Sequence, residues 1–229
     1  MKKLVVTFLY SLLFTLPNLS LAQTGEDGWG IGFKVGTTGL GLELTRPLTN
    51  SINLRGNYNY FEIDEDIEDT DVSYSGDFRK NSLGLFADWH PWSGGFRVSA
   101  GVYHHFDNEI SIVGLPTTAG SFEFGGQIFN ASSIGSVNGN ISFGKTTPYF
   151  GIGWGNASQA DQKWGFIIEL GVQFQDTPDV TLVASNCTLP IGECNELNAA
   201  LLTEINSLQD DIDDFDLWPV LNIGLSYKF

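Results

Sequence analysis

From Trp29 onward apolar and polar positions alternate with a period of two. Trp29, Ile31, Phe33 and Val35 are interleaved with Gly30, Gly32, Lys34 and Gly36, and Leu40, Leu42 and Leu44 with Gly41, Glu43 and Thr45. The same alternation recurs around Leu54, Tyr58 and Tyr60, around Leu83, Leu85 and Trp89, and around Phe96, Val98 and Val102. It returns at Phe150, Ile152 and Trp154, along Trp164 to Phe174, and from Leu221 to Phe229. A period of two is that of a strand with one apolar face. The spacing predicts eight strands, at about 28–36, 39–46, 52–63, 72–90, 96–112, 140–155, 163–178 and 214–229.

A soluble sandwich also alternates, but its polar face meets water and favours Lys, Glu and Thr. Here that face is mostly Gly, Asn, Ser and Gln with single charges, which suits a crowded polar lumen, while Trp and Tyr fall near segment ends as at a membrane interface. Connection lengths agree. Short turns fall at Pro47–Ser51, Pro91–Gly95 and Gly155–Gln162, a tight turn at Gly36–Gly39, and long polar connections at about 64–70, 113–138 and 179–213. Three short turns and four loops are what an even-stranded up-and-down barrel with both termini on one side requires. The expected fold is all-β, an eight-stranded antiparallel transmembrane barrel spanning 23–229.

Residues 1–22 read as an export signal. Lys2 and Lys3 precede an apolar run from Leu4 to Leu16, and Ser20-Leu21-Ala22 supplies small residues before an expected cleavage after Ala22. The run is too short for the roughly 20 residues that span a bilayer as a helix. Without Lys2 and Lys3 the chain carries nine basic and 27 acidic side chains, a net −18. Such an acidic surface argues against a nucleic-acid partner.

At the C-terminus, apolar residues at Leu221, Ile223, Leu225, Tyr227 and Phe229 look like the closing strand read by the bacterial barrel-assembly machinery, with Tyr227 and Phe229 as its signal. The stretches Asp88-Trp89-His90-Pro91-Trp92, Gly94-Gly95-Phe96-Arg97 and Pro148 to Gly155, with the Tyr227-Lys228-Phe229 end, resemble the small outer-membrane barrels of Gram-negative bacteria, broadly the OmpA, OmpX and OmpW type. The resemblance implies a barrel in the outer membrane, in contact with its lipid and lipopolysaccharide. Distant relatives labelled small-solute channels, ornithine-type porins among them, imply transport. No site motif comes with it.

Eight strands enclose an interior that side chains can fill. If Leu44 opposes Leu54, Glu43 faces Arg55; by the same rule Asp88 faces Arg97 across the next turn. Both are expected to be lumen ion pairs that seal the barrel or, in a channel, form its polar constriction. No cofactor or metal motif is present: the acidic run from Asp64 to Asp71 lacks the Gly and the oxygen spacing of an EF-hand. A solvated acidic rim, formed with Asp210 to Asp216, is expected instead, and it would draw small cations to the mouth. His90, His104 and His105 raise a lipid A-modifying enzyme, but neither a Gly-x-Ser-x-Gly nor a His-Glu-x-x-His pattern accompanies them, so an enzyme is not expected. Asn195 to Asp213 reads as a helix with Leu197, Leu201, Ile205, Leu208 and Ile212 on one stripe. Cys187 and Cys194, just before it, are expected to form a disulfide in an exported chain. The expected function is a non-enzymatic barrel passing small solutes; the alternative is a closed structural or surface-interaction barrel.

Overall fold

A computed structural model describes residues 28–68, 72–116, 121–157, 163–212 and 215–229. The expected signal segment 1–22 lies outside these residues, as do Asp69, Asp71, Asp213 and Asp214 of the acidic runs.

Among the described residues twelve strands form in chain order: β1 (Gly30–Gly36), β2 (Gly39–Pro47), β3 (Ile52–Glu68), β4 (Val72–Trp89), β5 (Phe96–Pro116), β6 (Ser121–Phe124), β7 (Gln127–Asn130), β8 (Ser136–Ser142), β9 (Thr146–Trp154), β10 (Trp164–Phe174), β11 (Asp179–Ser185) and β12 (Leu217–Lys228). Eight of them close a barrel. Each of β1 to β4 pairs with the next, β5 pairs with β9, β9 with β10, β10 with β12, and β12 returns to β1, every pair antiparallel. A closed sheet leaves no unpaired edge, which is why strands can cross a bilayer only as a barrel.

The outward positions are the apolar ones. Phe33, Leu42, Leu85 and Ile223 are each more than half exposed (51, 56, 56 and 57%), an arrangement stable only where acyl chains replace water. Trp29, Trp89, Trp92, Trp154 and Trp164 stand exposed around the end that holds the short turns and the chain's closing residue. At the opposite end the outward face of β3 runs Leu54, Tyr58, Tyr60 and then Glu62 and Asp64. The tyrosines mark the interface and the acids the exit into water.

Beyond the barrel the wall continues on one side. The first half of β5 pairs with β9, its second half with β8, and β8 carries β11 on its far edge. The expected single strand 140–155 is thus divided by Phe143–Lys145, while the expected strand 163–178 stops at Phe174 and β11 falls in the expected loop 179–213. Pro178 offers no N–H to a ladder. The connection 113–138 also holds structure, the β6–β7 hairpin and a short helix α1 (Ala131–Ile134). Helix α2 (Ile191–Ile212) starts four residues earlier than its apolar stripe suggests and buries Leu197, Ala200 and Leu201. These pack with Phe122, Phe129, Ile134 and Val137 into a small core separate from the lumen.

Two registers differ from expectation. Leu44 faces Gly56 rather than Leu54, and Asp88 faces Ser99 rather than Arg97. In the first turn, the N–H groups of both Leu48 and Thr49 donate to the Ile52 carbonyl, so Pro47 and Asn53 are the last pair. In the second, Trp89 and Val98 close the ladder. Each slip is two residues, so every side chain keeps its face but changes its neighbour.

Candidate functional site

The inward positions build a plug at mid-lumen to which all eight barrel strands contribute. Its hub is Arg55 on β3, fully buried. Arg55 Nε donates to Asp88 Oδ2 at 2.7 Å and Nη2 to Asp88 Oδ1 at 3.1 Å, a bidentate pair. Nη1 reaches Glu43 Oε2 at 3.3 Å and Nη2 reaches Glu169 Oε1 at 3.0 Å. Lys34 Nζ donates to Glu169 Oε2 at 3.0 Å, where Asn222 Nδ2 also donates at 2.9 Å. Ser99 Oγ donates to Asp88 at 2.6 Å, and the Tyr149 hydroxyl to Glu169 at 3.1 Å.

An aromatic layer lies against this network. The Phe86, Tyr103 and Tyr149 rings meet edge to face at centroid distances of 4.9, 5.2 and 5.6 Å. The Arg55 guanidinium lies 4.6 Å from the Phe86 centroid. Lumen glycines make the room: a Cβ on Gly101 would come within 2.5 Å of Phe86, and one on Gly171 within 2.6 Å of Tyr149. Gly84, Gly101, Gly151 and Gly171 on the polar face are the sockets of Phe86 and Tyr149.

Among the four lumen residues read from the sequence, Glu43, Arg55 and Asp88 converge. Arg97 does not pair with Asp88, because the register puts Ser99 opposite that acid. Its Nη1 donates instead to the Gly155 carbonyl at 3.1 Å, and its Nε and Nη2 have no hydrogen-bond partner. Arg97 still acts through space on Asp88 and Glu169, so three cations stand against three acids. Lys34 and Glu169 join the network as well; their place on the polar face of the alternation is the signal that marks them in the sequence.

None of the three histidines has a carboxylate hydrogen-bond partner among the described residues. His90 contacts Asn53 and the Gly94 carbonyl, His104 contacts Thr146, and His105 contacts Thr147. A hydrolytic site would need a carboxylate or nucleophile there. In the outer hairpin, Glu62, Asp64 and Asp77 bring carboxylate oxygens within 4.8 Å of one another. Arg79 already binds Glu62 at 3.0 Å and Asp77 at 2.8 Å. The hydrogen bond with Asp77 raises the Asp64 carboxyl above its ordinary value. Cys187 and Cys194 are joined by a disulfide ahead of α2. Tyr227 packs on Trp164 at 5.0 Å, and the Phe229 N–H donates to the Trp29 carbonyl.

No protein-family model matches the chain, and no curated protein matches it. Solved structures do. CarO2 of Acinetobacter baumannii is 23% identical with a TM-score of 0.57, over 90% of this chain and 100% of that one. CarO of the same organism is 26% identical with a TM-score of 0.56, over 87% of this chain and 97% of that one. A major outer membrane protein from Thermus thermophilus, 12% identical at a TM-score of 0.43, is too distant to bear on the assignment. By its fold and its lipid-facing exterior, the chain is a closed eight-stranded barrel of the outer-membrane type.

Proposed function

We propose that this chain is a non-enzymatic outer-membrane barrel that passes small solutes through a narrow lumen, shut in the described state by the Arg55-centred plug. The observation that carries this reading is the distribution of buried polar atoms without a protein partner. They lie toward the turn end at Asn53 Oδ1 and Arg97 Nε and Nη2, in the plug at Glu43 Oε1, and most densely beyond the plug at Lys80 Nζ, His105 Nδ1, Trp218 Nε1 and both amide atoms of Gln173. Buried polar atoms need water or a ligand. A lumen that served only as packing would close such groups on one another, as the plug does at both oxygens of Asp88 and of Glu169. The plug is thus one constriction in a polar path.

Export by cleavage after Ala22, assembly through the Tyr227 and Phe229 signal, and contact of the acidic loops with lipopolysaccharide through divalent cations belong to the same reading. Planar-bilayer recording tests it. The wild type should give small, infrequent currents, and Arg55→Ala should raise the open time or conductance. Silence from both proteins would sink the conduit. That silence is what the second reading predicts, a closed barrel serving as a platform for its outer part. The separate hydrophobic core and disulfide of that part favour it.

A further inference from the structure

Five of the six tryptophans face outward at the turn end; Trp218 alone turns inward at the loop end. The Lys80 ammonium, carried by β4 on the opposite wall, crosses the lumen and stands 3.9 Å from the Trp218 ring centroid. Lys80 is 2% exposed, its Nζ has no hydrogen-bond partner, and among the described residues no carboxylate lies within salt-bridge distance. Every other buried lysine or arginine of the barrel donates to an oxygen. Lys80 is the exception, and a buried cation without a counter-charge is costly.

The residues around it form a ring. Ser82, one inward step from Lys80, lies opposite His105. His105 Nε2 meets Thr147 Oγ1 at 3.0 Å, leaving Nδ1 unpartnered. Thr147 is one inward step from Tyr149, Tyr149 faces Gln173, and Gln173 faces Trp218. Gln173 is fully buried with both amide atoms unpartnered, and Trp218 Nε1 is unpartnered as well. One fixed positive charge, an indole N–H, an amide and an imidazole therefore share one level above the plug, with no acid among them.

We infer that the Lys80–His105–Gln173–Trp218 ring is a binding site for the carboxylate of a small solute. A single ammonium balances a monoanion, the amide and indole N–H groups satisfy its remaining lone pairs, and the indole and Tyr103 rings suit a flat group. A phosphate dianion would need a second cation. His105 Nδ1 donates in the tautomer whose Nε2 accepts from Thr147. The site lies on the outer side of the plug, so binding does not depend on whether the plug opens.

The test is an NMR titration of the detergent-solubilised full-length barrel with sodium acetate, at ionic strength held constant with sodium chloride. The Trp218 indole resonance, assigned with Trp218→Phe, is the readout. Wild type should shift saturably; Lys80→Met should weaken binding by about tenfold or more, the loss of one charge-assisted hydrogen bond, and Lys80→Arg should retain it. A shift no different from that with chloride, or wild-type affinity in Lys80→Met, overturns the site. Should Lys80→Met fail to show heat-modifiable mobility, Gln173→Leu replaces it, and unchanged acetate affinity there is equally fatal. Acetate binding without bilayer current would leave the site standing and sink only the conduit.

Discussion

Replacing Arg55 by Ala removes the one side chain that bonds to Glu43, Asp88 and Glu169 together. All three acids are buried, so each loses a partner in a place where water cannot substitute freely. Breaking a buried ion pair from one side costs about 3–5 kcal/mol. Lys34 still holds Glu169 at 3.0 Å and Arg97 still acts on Asp88, which places the expected loss at the low end, about 3 kcal/mol. Arg97→Ala is the control. It removes one hydrogen bond to a carbonyl and a cation that reaches Asp88 and Glu169 only through space, so its cost should be about 1.5 kcal/mol, half that of Arg55→Ala. Urea unfolding in lipid vesicles, followed by tryptophan fluorescence, reads both as shifts in midpoint at constant slope. The double variant Arg55→Ala with Asp88→Ala should cost less than the two single losses combined, because the second change removes an acid the first left stranded. Arg55→Ala no more destabilising than Arg97→Ala would refute the hub.

Two further outcomes follow from the outer part. The Asp64 carboxyl, raised by its hydrogen bond with Asp77, binds its proton more tightly folded than unfolded. Its contribution to hairpin stability is therefore full below the ordinary Asp value and lost as pH climbs through the folded one. Carbon-13 titration of Asp64 should give a midpoint above 3.8 that falls in Asp77→Asn, and a midpoint at or below the ordinary value would contradict the bond. Unreduced protein should expose no reactive thiol; two thiols per chain would deny the Cys187–Cys194 link. Reducing a loop of this length should weaken the outer core by about 2.5 kcal/mol, seen as faster amide exchange in α2.

The barrel was legible because lipid and lumen impose opposite demands on alternate residues. Leu40, Leu42 and Leu44 on one side and Gly41, Glu43 and Thr45 on the other assign faces without knowledge of any partner. Partners were less legible. Glu169 lies 114 residues from Arg55, and only closure of the cylinder brings them together. Cross-strand pairs such as Asp88 with Arg97 depended on registers that the turn hydrogen bonds move by two residues. Phe86, Tyr103 and Ile167 sit on the polar face yet are buried inside, which hydropathy alone cannot separate from lipid-facing positions. Lys80 is illegible as a lumen residue because a single lysine in an outer segment has the pattern of a solvated charge, yet it is buried. The outer strands β8 and β11 were hidden because Val183 is apolar on the exposed side of β11, which blurs the alternation.

Solvation of the outward apolar face by acyl chains underlies every other assignment of the barrel. Nitroxide labels at Leu42, Leu85, Leu170 and Ile223, each introduced as a single cysteine beside the disulfide-bonded native pair, can be compared with one at Ile128, exposed on the outer β6–β7 hairpin. In reconstituted vesicles the four barrel labels should relax with oxygen and ignore a water-soluble nickel chelate, while Ile128 shows the reverse. Nickel reaching Leu42 and Ile223 as readily as Ile128 would mean that water covers those faces and that the chain does not span a membrane.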